Sequence, residues 1–220
     1  DTGGAVGCAA EGRSSVRAVI LYPKGRVSPF QEHQLTCWKA PVRAIEVDGD
    51  FDDCQRLAKA AFADPAMTKA LNLTSANSIS IGRLMPQMAY IAYAATRILA
   101  ETGQNPGFVI PTGNLGHGFA AAYARAMGAP IGPIVLATNE NRTLADWAAT
   151  GTYQPRASIA TIANAMDVGA PSNFERLIAL DPAQRDVSVE LVTDEAIKAR
   201  ILADQADYLW CPHSAAAAEA

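Results

Sequence analysis

A turn rich in glycine follows an apolar run near the middle of the chain. Residues 108–128 read FVIPTGNLGHGFAAAYARAMG, with glycines at 113, 116 and 118. Because glycine has no β-carbon, such a turn can direct several backbone N–H groups to one point. The helix that follows adds its own unpaired N–H groups and the positive end of its dipole. The pattern therefore predicts a socket for an anion, most naturally a phosphate.

The glycines alone fit an ordinary strand-to-helix turn equally well, but two specific nucleotide sites do not fit. Their spacing, G-x-x-G-x-G, differs from the dinucleotide-binding G-x-G-x-x-G, and no G-K-[ST] of a triphosphate-binding loop follows. The chain also has no G-x-S-x-G nucleophile turn and no H-E-x-x-H zinc helix. The sequence therefore favours a cradle for a small phosphorylated cofactor or substrate.

The elements that position this turn alternate between strand and helix patterns. In chain order the patterns predict a strand at 16–22, a helix over 29–38, a strand at 42–47, a helix from 51, a helix over about 80–100, a strand at 108–111, a helix over 117–127 and a strand at 133–138. Such alternation predicts an α/β fold with a mainly parallel sheet. The polar stretch LNLTSANS at 71–78 predicts a division into two α/β lobes, 1–73 and 74–220.

Two predicted helices begin with explicit capping signals. Ser28 is followed by a proline and, three residues on, by Gln31, which is the pattern of a capping box. Asp50 precedes the helix that starts at residue 51. The helix behind the glycine turn is built largely from alanine, so we expect it to lie close to the sheet and hold the turn rigid.

Composition narrows the classes of function. Half the residues are hydrophobic, 18% are charged, the formal net charge is -4, and the basic residues are scattered. The negative net charge and the scattered basic residues argue against nucleic acid as a partner. No apolar run approaches the 18 residues of a membrane span, so a membrane is not the expected partner either. Four cysteines without C-x-x-C spacing and three dispersed histidines predict no metal site and fit thiols in a reducing cytoplasm.

Several stretches together resemble one enzyme family. G-N-L-G-H at 113–117 resembles the G-N-F-G-[DN] loop that holds the cofactor phosphate in threonine synthases. The other stretches that follow the family's order are DTGG (1–4), ILYPKGRVSPFQEHQ (20–34), NSISIGRLMPQ (77–87), ATNENRTL (137–144), MDVGAPSNFER (166–176) and CPHSA (211–215). The chain is therefore identified as resembling threonine synthases, two-lobed pyridoxal-phosphate enzymes of fold type II (tryptophan synthase β-like). Because it opens without methionine and stops in an apparent helix start, we expect both ends to be truncated.

The resemblance implies a cofactor and a reaction. The cofactor is pyridoxal 5'-phosphate, and the reaction converts O-phospho-L-homoserine and water into L-threonine and phosphate. The pyridinium ring would supply the electron sink for carbanions at Cα and Cβ. The Schiff-base lysine of the family lies in an F-K-D context upstream of D-T-G, and all five lysines here stand in other contexts. We therefore expect no catalytic residue in this chain, and little activity from the chain alone.

Site residues follow by position in the matching motifs. The resemblance implies that the cofactor is bound by Gly113, Asn114, Leu115, Gly116, His117, Asp1 and Ser214. Backbone N–H groups of the turn would receive the phosphate, with Asn114 bracing the loop. The expected substrate-binding residues are Thr2, Gly3, Lys24, Asn77, Ser78 and Arg83, although a solvated surface charge explains Lys24 and Arg83 equally well.

Three positions depart from the family pattern, and two other functions stay open. Leu115 replaces a phenylalanine, His117 replaces an acidic or amide residue, and Cys211 stands where an acid is common. One alternative is another fold-type II enzyme, such as serine/threonine dehydratase or cysteine synthase. The other is a protein of this family that binds phosphate or cofactor without turnover. We expect a cytoplasmic protein with a small-molecule substrate, and the sequence predicts no particular oligomeric state.

Overall fold

The computed structural model describes residues 2–220, which form two compact units. The first unit reaches to Asn77 and the second comprises Ser78–Ala220. The division falls inside the polar stretch 71–78, after Asn77, whereas the sequence analysis places it after residue 73. The roles assigned to the two lobes stay predictions.

The first unit combines four helices with a two-stranded parallel sheet. Its elements are α1 (Thr2–Ala10), β1 (Ala18–Pro23), α2 (Pro29–Thr36), β2 (Val42–Val47), α3 (Phe51–Ala63) and α4 (Pro65–Ala70). The strands β1 and β2 pair with Ala18 opposite Val42. A small apolar core lies between the sheet and the helices α1 and α2, and consists of Ala10, Ala18, Ile20, Tyr22, Leu35 and Val42.

Both predicted caps in this unit are confirmed. The Ser28 hydroxyl accepts a hydrogen bond from the N–H of Gln31, whose side chain accepts one in return from the N–H of Ser28. Asp50 and Asp53 form the same reciprocal pair at the start of α3. Each pair satisfies two backbone N–H groups that a helix start leaves unpaired.

The second unit is a three-stranded parallel sheet with helices. Its elements are α5 (Ile81–Thr102), β3 (Phe108–Pro111), α6 (Gly116–Ala126), β4 (Ile134–Thr138), α7 (Thr143–Thr150), a 3-10 turn (Asn164–Met166), α8 (Phe174–Ile178), β5 (Ser188–Leu191), α9 (Asp194–Asp204) and α10 (Pro212–Glu219). The strand order is β3-β4-β5, and every pairing among the described strands is parallel. The predicted α/β class with mainly parallel sheets is confirmed.

Helix α6 is the most deeply buried helix around the glycine turn. Ala120, Ala121 and Ala122 are fully buried, and α6 packs against both α5 and β4. A β-carbon on Gly118 would come within 2.6 Å of the Leu136 side chain on β4. The small residues therefore allow the close packing that the sequence predicts, and the turn before α6 rests on the unit's core.

Several elements of the structure were not predicted from the sequence, namely α1, α4, α7, α8, α9 and β5. The sequence analysis predicts no element at the start of the chain, where Thr2 and Gly3 form the first turn of α1. This segment of glycines and alanines forms a helix because α1 packs on β1 and α2. That packing outweighs the low helix propensity of glycine. The strand β5 was also missed, since its four residues (SVEL) are too few to show a clear period.

Within residues 2–220, no helix combines the length and apolar character that crossing a membrane requires. The same residues contain no cluster of three or more His, Cys, Asp or Glu side chains able to hold a metal ion.

Candidate functional site

The turn between β3 and α6 presents a row of backbone donors. The last sheet bond of this segment runs from the N–H of Thr112 to the carbonyl of Ala137, and the first bond of the helix runs from Phe119 to Leu115. Between them, the N–H groups of 113–118 donate to no other group in the described part of the chain. Unpaired N–H groups at a helix start form an anion site when they converge.

Leu115 has a left-handed backbone, with φ 61° and ψ 10°. This conformation costs a residue with a β-carbon about 1–2 kcal/mol. The side chain of Leu115 is 1% exposed and packs in the core of the second unit, which offsets that cost. Sequence reasoning assigned the turning of the N–H groups to Gly113 and Gly116. The structure corrects this, because among the described residues the turn's only positive φ belongs to Leu115.

The two flanking glycines serve close approach instead. A β-carbon on Gly113 would lie 2.7 Å from the Cα of Met166, and one on Gly116 would lie 2.8 Å from the Cβ of Ser78. Both distances are too short for any side chain. The turn is therefore held between the 3-10 turn on one side and the start of the α5 segment on the other.

Asn114 fixes the turn through three hydrogen bonds. Its Nδ2 donates to the Oγ of Ser78 at 2.7 Å, and its Oδ1 accepts from the N–H of Ser172 at 2.7 Å. Its carbonyl accepts from the Nδ2 of Asn173 at 2.9 Å. The hydroxyl of Ser172 is buried and has no hydrogen-bond partner in the described residues. These contacts agree with the expected role of Asn114 in bracing the loop. That the braced loop binds the cofactor stays a prediction.

His117 lies in the first turn of α6, beside α5. Its Nε2 lies 3.1 Å from the hydroxyl of Tyr90, and the two rings meet edge to face at 5.6 Å. Burial lowers the pKa of His117, because a charged imidazolium is poorly solvated there, and so favours the neutral ring. Burial raises the pKa of Tyr90, and the positive charge of Arg83 offsets part of that rise.

Ser214 lies in the first turn of α10, which packs against β3 and β4. The Cys211 sulfur accepts a bond from the N–H of Ser214 at 3.5 Å and lies 3.4 Å from its hydroxyl. Burial raises the pKa of the Cys211 thiol, but bonds from Ser214 and the N–H of His213 outweigh it, so the pKa is lowered. The His213 Nε2 accepts a bond from the N–H of Ala165 at 3.1 Å, which ties α10 to the 3-10 turn behind Gly113.

The remaining predicted site residues divide between the two units. Ser78 and Arg83 lie in the second unit with the turn. Thr2, Gly3, Lys24 and Asn77 lie in the first unit, where Lys24 is exposed just after β1. Asp1 lies outside the described residues. The structure therefore brings together, within one unit, Asn114, Ser78, His117 and Arg83.

The turn suits a phosphate chemically. The first turn of α6 contains no acidic residue, and no side chain caps its N–H groups. The starts of α2 and α3, in contrast, are closed by Ser28 and Asp50. A buried hydroxyl without a partner, that of Ser172, lies beside the same turn. Uncapped donors, no acid and a fixed backbone are what a phosphate dianion requires.

Comparison with known proteins decides the family. A family model described as pyridoxal-phosphate dependent enzyme matches residues 1–220. The chain belongs to this family. The cofactor predicted from the resemblance, pyridoxal 5'-phosphate, is the family's cofactor, and its phosphate fits the donors of the 113–118 turn.

Curated relatives align in sequence with nearly the whole of this chain. This chain is 39% identical to threonine synthase of Serratia marcescens over an alignment of 223 residues. The alignment covers 99% of this chain and 52% of the relative. Threonine synthase of Haemophilus influenzae is 36% identical, again with 99% of this chain and 52% of the relative covered. The chain thus spans about half the length of these curated relatives.

Solved structures of the family confirm fold type II. The crystal structure of threonine synthase from Escherichia coli aligns with a TM-score of 0.92 at 36% identity, covering 99% of this chain and 52% of that one. Threonine synthase of Brucella melitensis, solved with bound cofactor, aligns with a TM-score of 0.80 at 33% identity, covering 100% and 54%. A serine racemase from maize shares the fold at 18% identity and a TM-score of 0.66, with 99% of this chain and 63% of that one covered.

Sequence reasoning missed several residues that shape the site. Ser172 and Tyr90 contact Asn114 and His117 from distant parts of the chain, and Met166 supports Gly113. Nothing local in the sequence marks these contacts. The stretch MDVGAPSNFER, which contains both Met166 and Ser172, was the signal that could have drawn attention to them.

Proposed function

We propose that the protein to which this chain belongs is a threonine synthase. It would convert O-phospho-L-homoserine and water into L-threonine and inorganic phosphate, with pyridoxal phosphate as cofactor. The observation that carries the proposal is identity of 36–39% over 99% of the chain to relatives named threonine synthase. The uncapped turn at 113–118 supports it, since it offers a place for the cofactor phosphate.

The cofactor, when bound, supplies an electron sink for negative charge next to the amino-bearing carbon. The residues of this chain bind and orient. The N–H groups of Gly113 to His117 hold the cofactor phosphate, and the positive end of α6 favours its charge. Asn114 keeps the donors in place through Ser78 and Ser172. Ser214, in the first turn of α10, would contact the pyridine nitrogen of the cofactor.

The substrate needs a second phosphate contact, because its leaving group is itself a phosphate. Arg83 and Ser78 are the proposed donors in the second unit, where Arg83 is exposed in the first turn of α5. Lys24 and Asn77 are the proposed phosphate donors in the first unit, whereas Thr2 and Gly3 are proposed to face the substrate carboxylate. A cation that meets the substrate before the reaction contributes to binding rather than to the chemical step.

The lysine that carries the cofactor is proposed to lie outside these 220 residues. All five lysines of the chain (Lys24, Lys39, Lys59, Lys69 and Lys198) are exposed to solvent. A lysine that forms a Schiff base at neutral pH needs a desolvated site that keeps its amine uncharged. The chain alone is therefore proposed to be inactive. The four cysteines are free, and we place the whole protein in a reducing cytoplasm.

An assay of the complete protein tests the proposal. Purified protein with pyridoxal phosphate is incubated with O-phospho-L-homoserine, and threonine and inorganic phosphate are measured together. We expect the two products in equal amounts. Deamination of free serine or threonine with no reaction of the phosphorylated substrate would instead identify a dehydratase, and binding of the cofactor without turnover of either would identify a non-catalytic relative.

A further inference from the structure

Arg176 joins two segments of the second unit. It lies in α8 and is half-buried. Its Nη1 donates to the carbonyl of Ser78 and its Nη2 to the carbonyl of Ile79, each at 2.7 Å. Nη1 also donates to the Oδ1 of Asn173. A planar guanidinium is suited to hold two successive carbonyls at once, and this contact joins residues almost a hundred positions apart.

The partners of Arg176 are the same residues that hold the glycine turn. Asn173 is fully buried, and its Nδ2 donates to the carbonyl of Asn114. Ser78 accepts the Nδ2 of Asn114. Two chains of hydrogen bonds therefore connect Arg176 to Asn114. One passes through Asn173 and the other through Ser78. Because its Oδ1 accepts from Arg176, the amide of Asn173 is oriented with its Nδ2 toward the turn.

The charge of Arg176 is also available to an anion. No carboxylate of the described residues lies within 4 Å of its guanidinium. A half-buried cation without a carboxylate partner favours a negative group nearby. Arg176 is separated from Asn114 by one hydrogen-bonded residue, Asn173.

We propose that Arg176 is a positioning residue for the phosphate-binding turn 113–118. It acts through Asn173 and Ser78, holds the backbone donors of the turn in place and adds a favourable charge. The inference rests on the proposed function, in which this turn holds the cofactor phosphate. It predicts a loss of cofactor affinity rather than of the chemical step, since Arg176 is proposed to act on the turn through Asn173 and Ser78 and not on the reacting atoms.

The test compares variants of the complete protein. Arg176→Ala removes both chains of hydrogen bonds, and Arg176→Lys keeps the charge but cannot hold two carbonyls. Arg185→Ala is the matched control, because Arg185 is also half-buried and donates to one backbone carbonyl, that of Ile178, at 2.9 Å. Affinity for pyridoxal phosphate is measured by equilibrium dialysis, and kcat is measured at saturating cofactor.

We expect Arg176→Ala to weaken cofactor binding about 10-fold or more, as loss of charged hydrogen bonds does. Arg176→Lys should fall between it and wild type, and Arg185→Ala should change affinity less than about 2-fold. At saturating cofactor, kcat of both Arg176 variants should return to within about 2-fold of wild type. Should Arg176→Ala not fold, as judged by circular dichroism, the Arg176→Lys comparison decides.

Two different failures can be told apart. If wild type binds the cofactor but its phosphorus NMR signal and the amide signals of 113–118 do not change together, the phosphate lies elsewhere and the proposed function of the turn fails. If wild type shows those changes and the Arg176 variants bind as tightly as Arg185→Ala, the turn keeps its role and the inference about Arg176 is wrong. A lower kcat at saturating cofactor with unchanged affinity would also overturn it.

Discussion

The Nδ2 of Asn114 donates to the Oγ of Ser78 across 2.7 Å, although the two residues are 36 positions apart in the chain. Ser78 precedes α5, and Asn114 lies in the turn before α6. The bond therefore fixes the start of one helix against the donors of the next. A turn held in this way is already ordered before the anion binds, so binding has a smaller entropic cost.

Replacement of Asn114 should loosen the turn and weaken cofactor binding. Asn114→Ala removes two side-chain bonds and leaves the N–H of Ser172 without its acceptor. We expect a loss of about 1–3 kcal/mol in the free energy of unfolding and about 10-fold weaker retention of pyridoxal phosphate. Urea unfolding and dialysis measure the two effects. Asn105→Ala, in an exposed loop, is the control and should change neither.

Alanine substitution should destabilise the protein at one glycine, Gly113, and should not at another, Gly82. Gly113→Ala places a β-carbon 2.7 Å from the Cα of Met166, and backbone cannot move aside cheaply, so we expect about 1–3 kcal/mol of destabilisation. Gly82→Ala lies in the first turn of α5, where the nearest atom would be the Ser80 hydroxyl oxygen at 3.5 Å. This change should be neutral or stabilise by about 0.5–1 kcal/mol. Equal midpoints in urea would show that the turn is not tightly held.

The histidine of the turn should make stability depend on pH. Burial lowers the pKa of His117, so the unfolded chain takes up the proton at higher pH than the folded chain does. The contribution of a neutral His117 is therefore present above pH 6.5 and is lost as the pH falls through 6.5 toward the folded value. His117→Gln should make the decline in stability below about pH 6.5 shallower. His33→Gln, exposed on α2, is the control. An unaltered slope in His117→Gln would contradict the assignment of burial as the cause.

Arg83 should affect substrate binding and not cofactor binding. In the complete protein, Arg83→Ala should raise KM for O-phospho-L-homoserine about 10-fold with little change in kcat, because the contact forms before the transition state. Arg97→Ala is the control on the same helix, since Arg97 is an exposed partner of Glu101. Unchanged KM and kcat in Arg83→Ala would leave Arg83 as a surface charge only.

Local signals in the sequence predicted the elements well. The capping box at Ser28, the cap at Asp50 and the strands 42–47 and 108–111 are all present, because each depends on neighbours within a few residues. The glycine turn was recognised for the same reason. The α1 helix was missed because tertiary packing, not propensity, forms it.

The details of the site depend on contacts that the sequence does not mark. Leu115, a residue that ordinarily avoids the left-handed region, adopts it because its side chain is buried in the core. Ser172 meets Asn114 across 58 positions, and Arg176 reaches Ser78 across 98. Such contacts follow from how the sheet brings the loops together, so the resemblance could indicate the stretch 166–176 but not what its side chains hold.

The most direct test of the central claim is a crystal structure of the complete protein with pyridoxal phosphate bound. The account predicts that phosphate oxygens lie within about 2.7–3.2 Å of backbone nitrogens of 113–117, with Asn114 still bonded to Ser78 and Ser172. A cofactor phosphate held elsewhere, with the N–H groups of this turn facing water or protein groups, would contradict it.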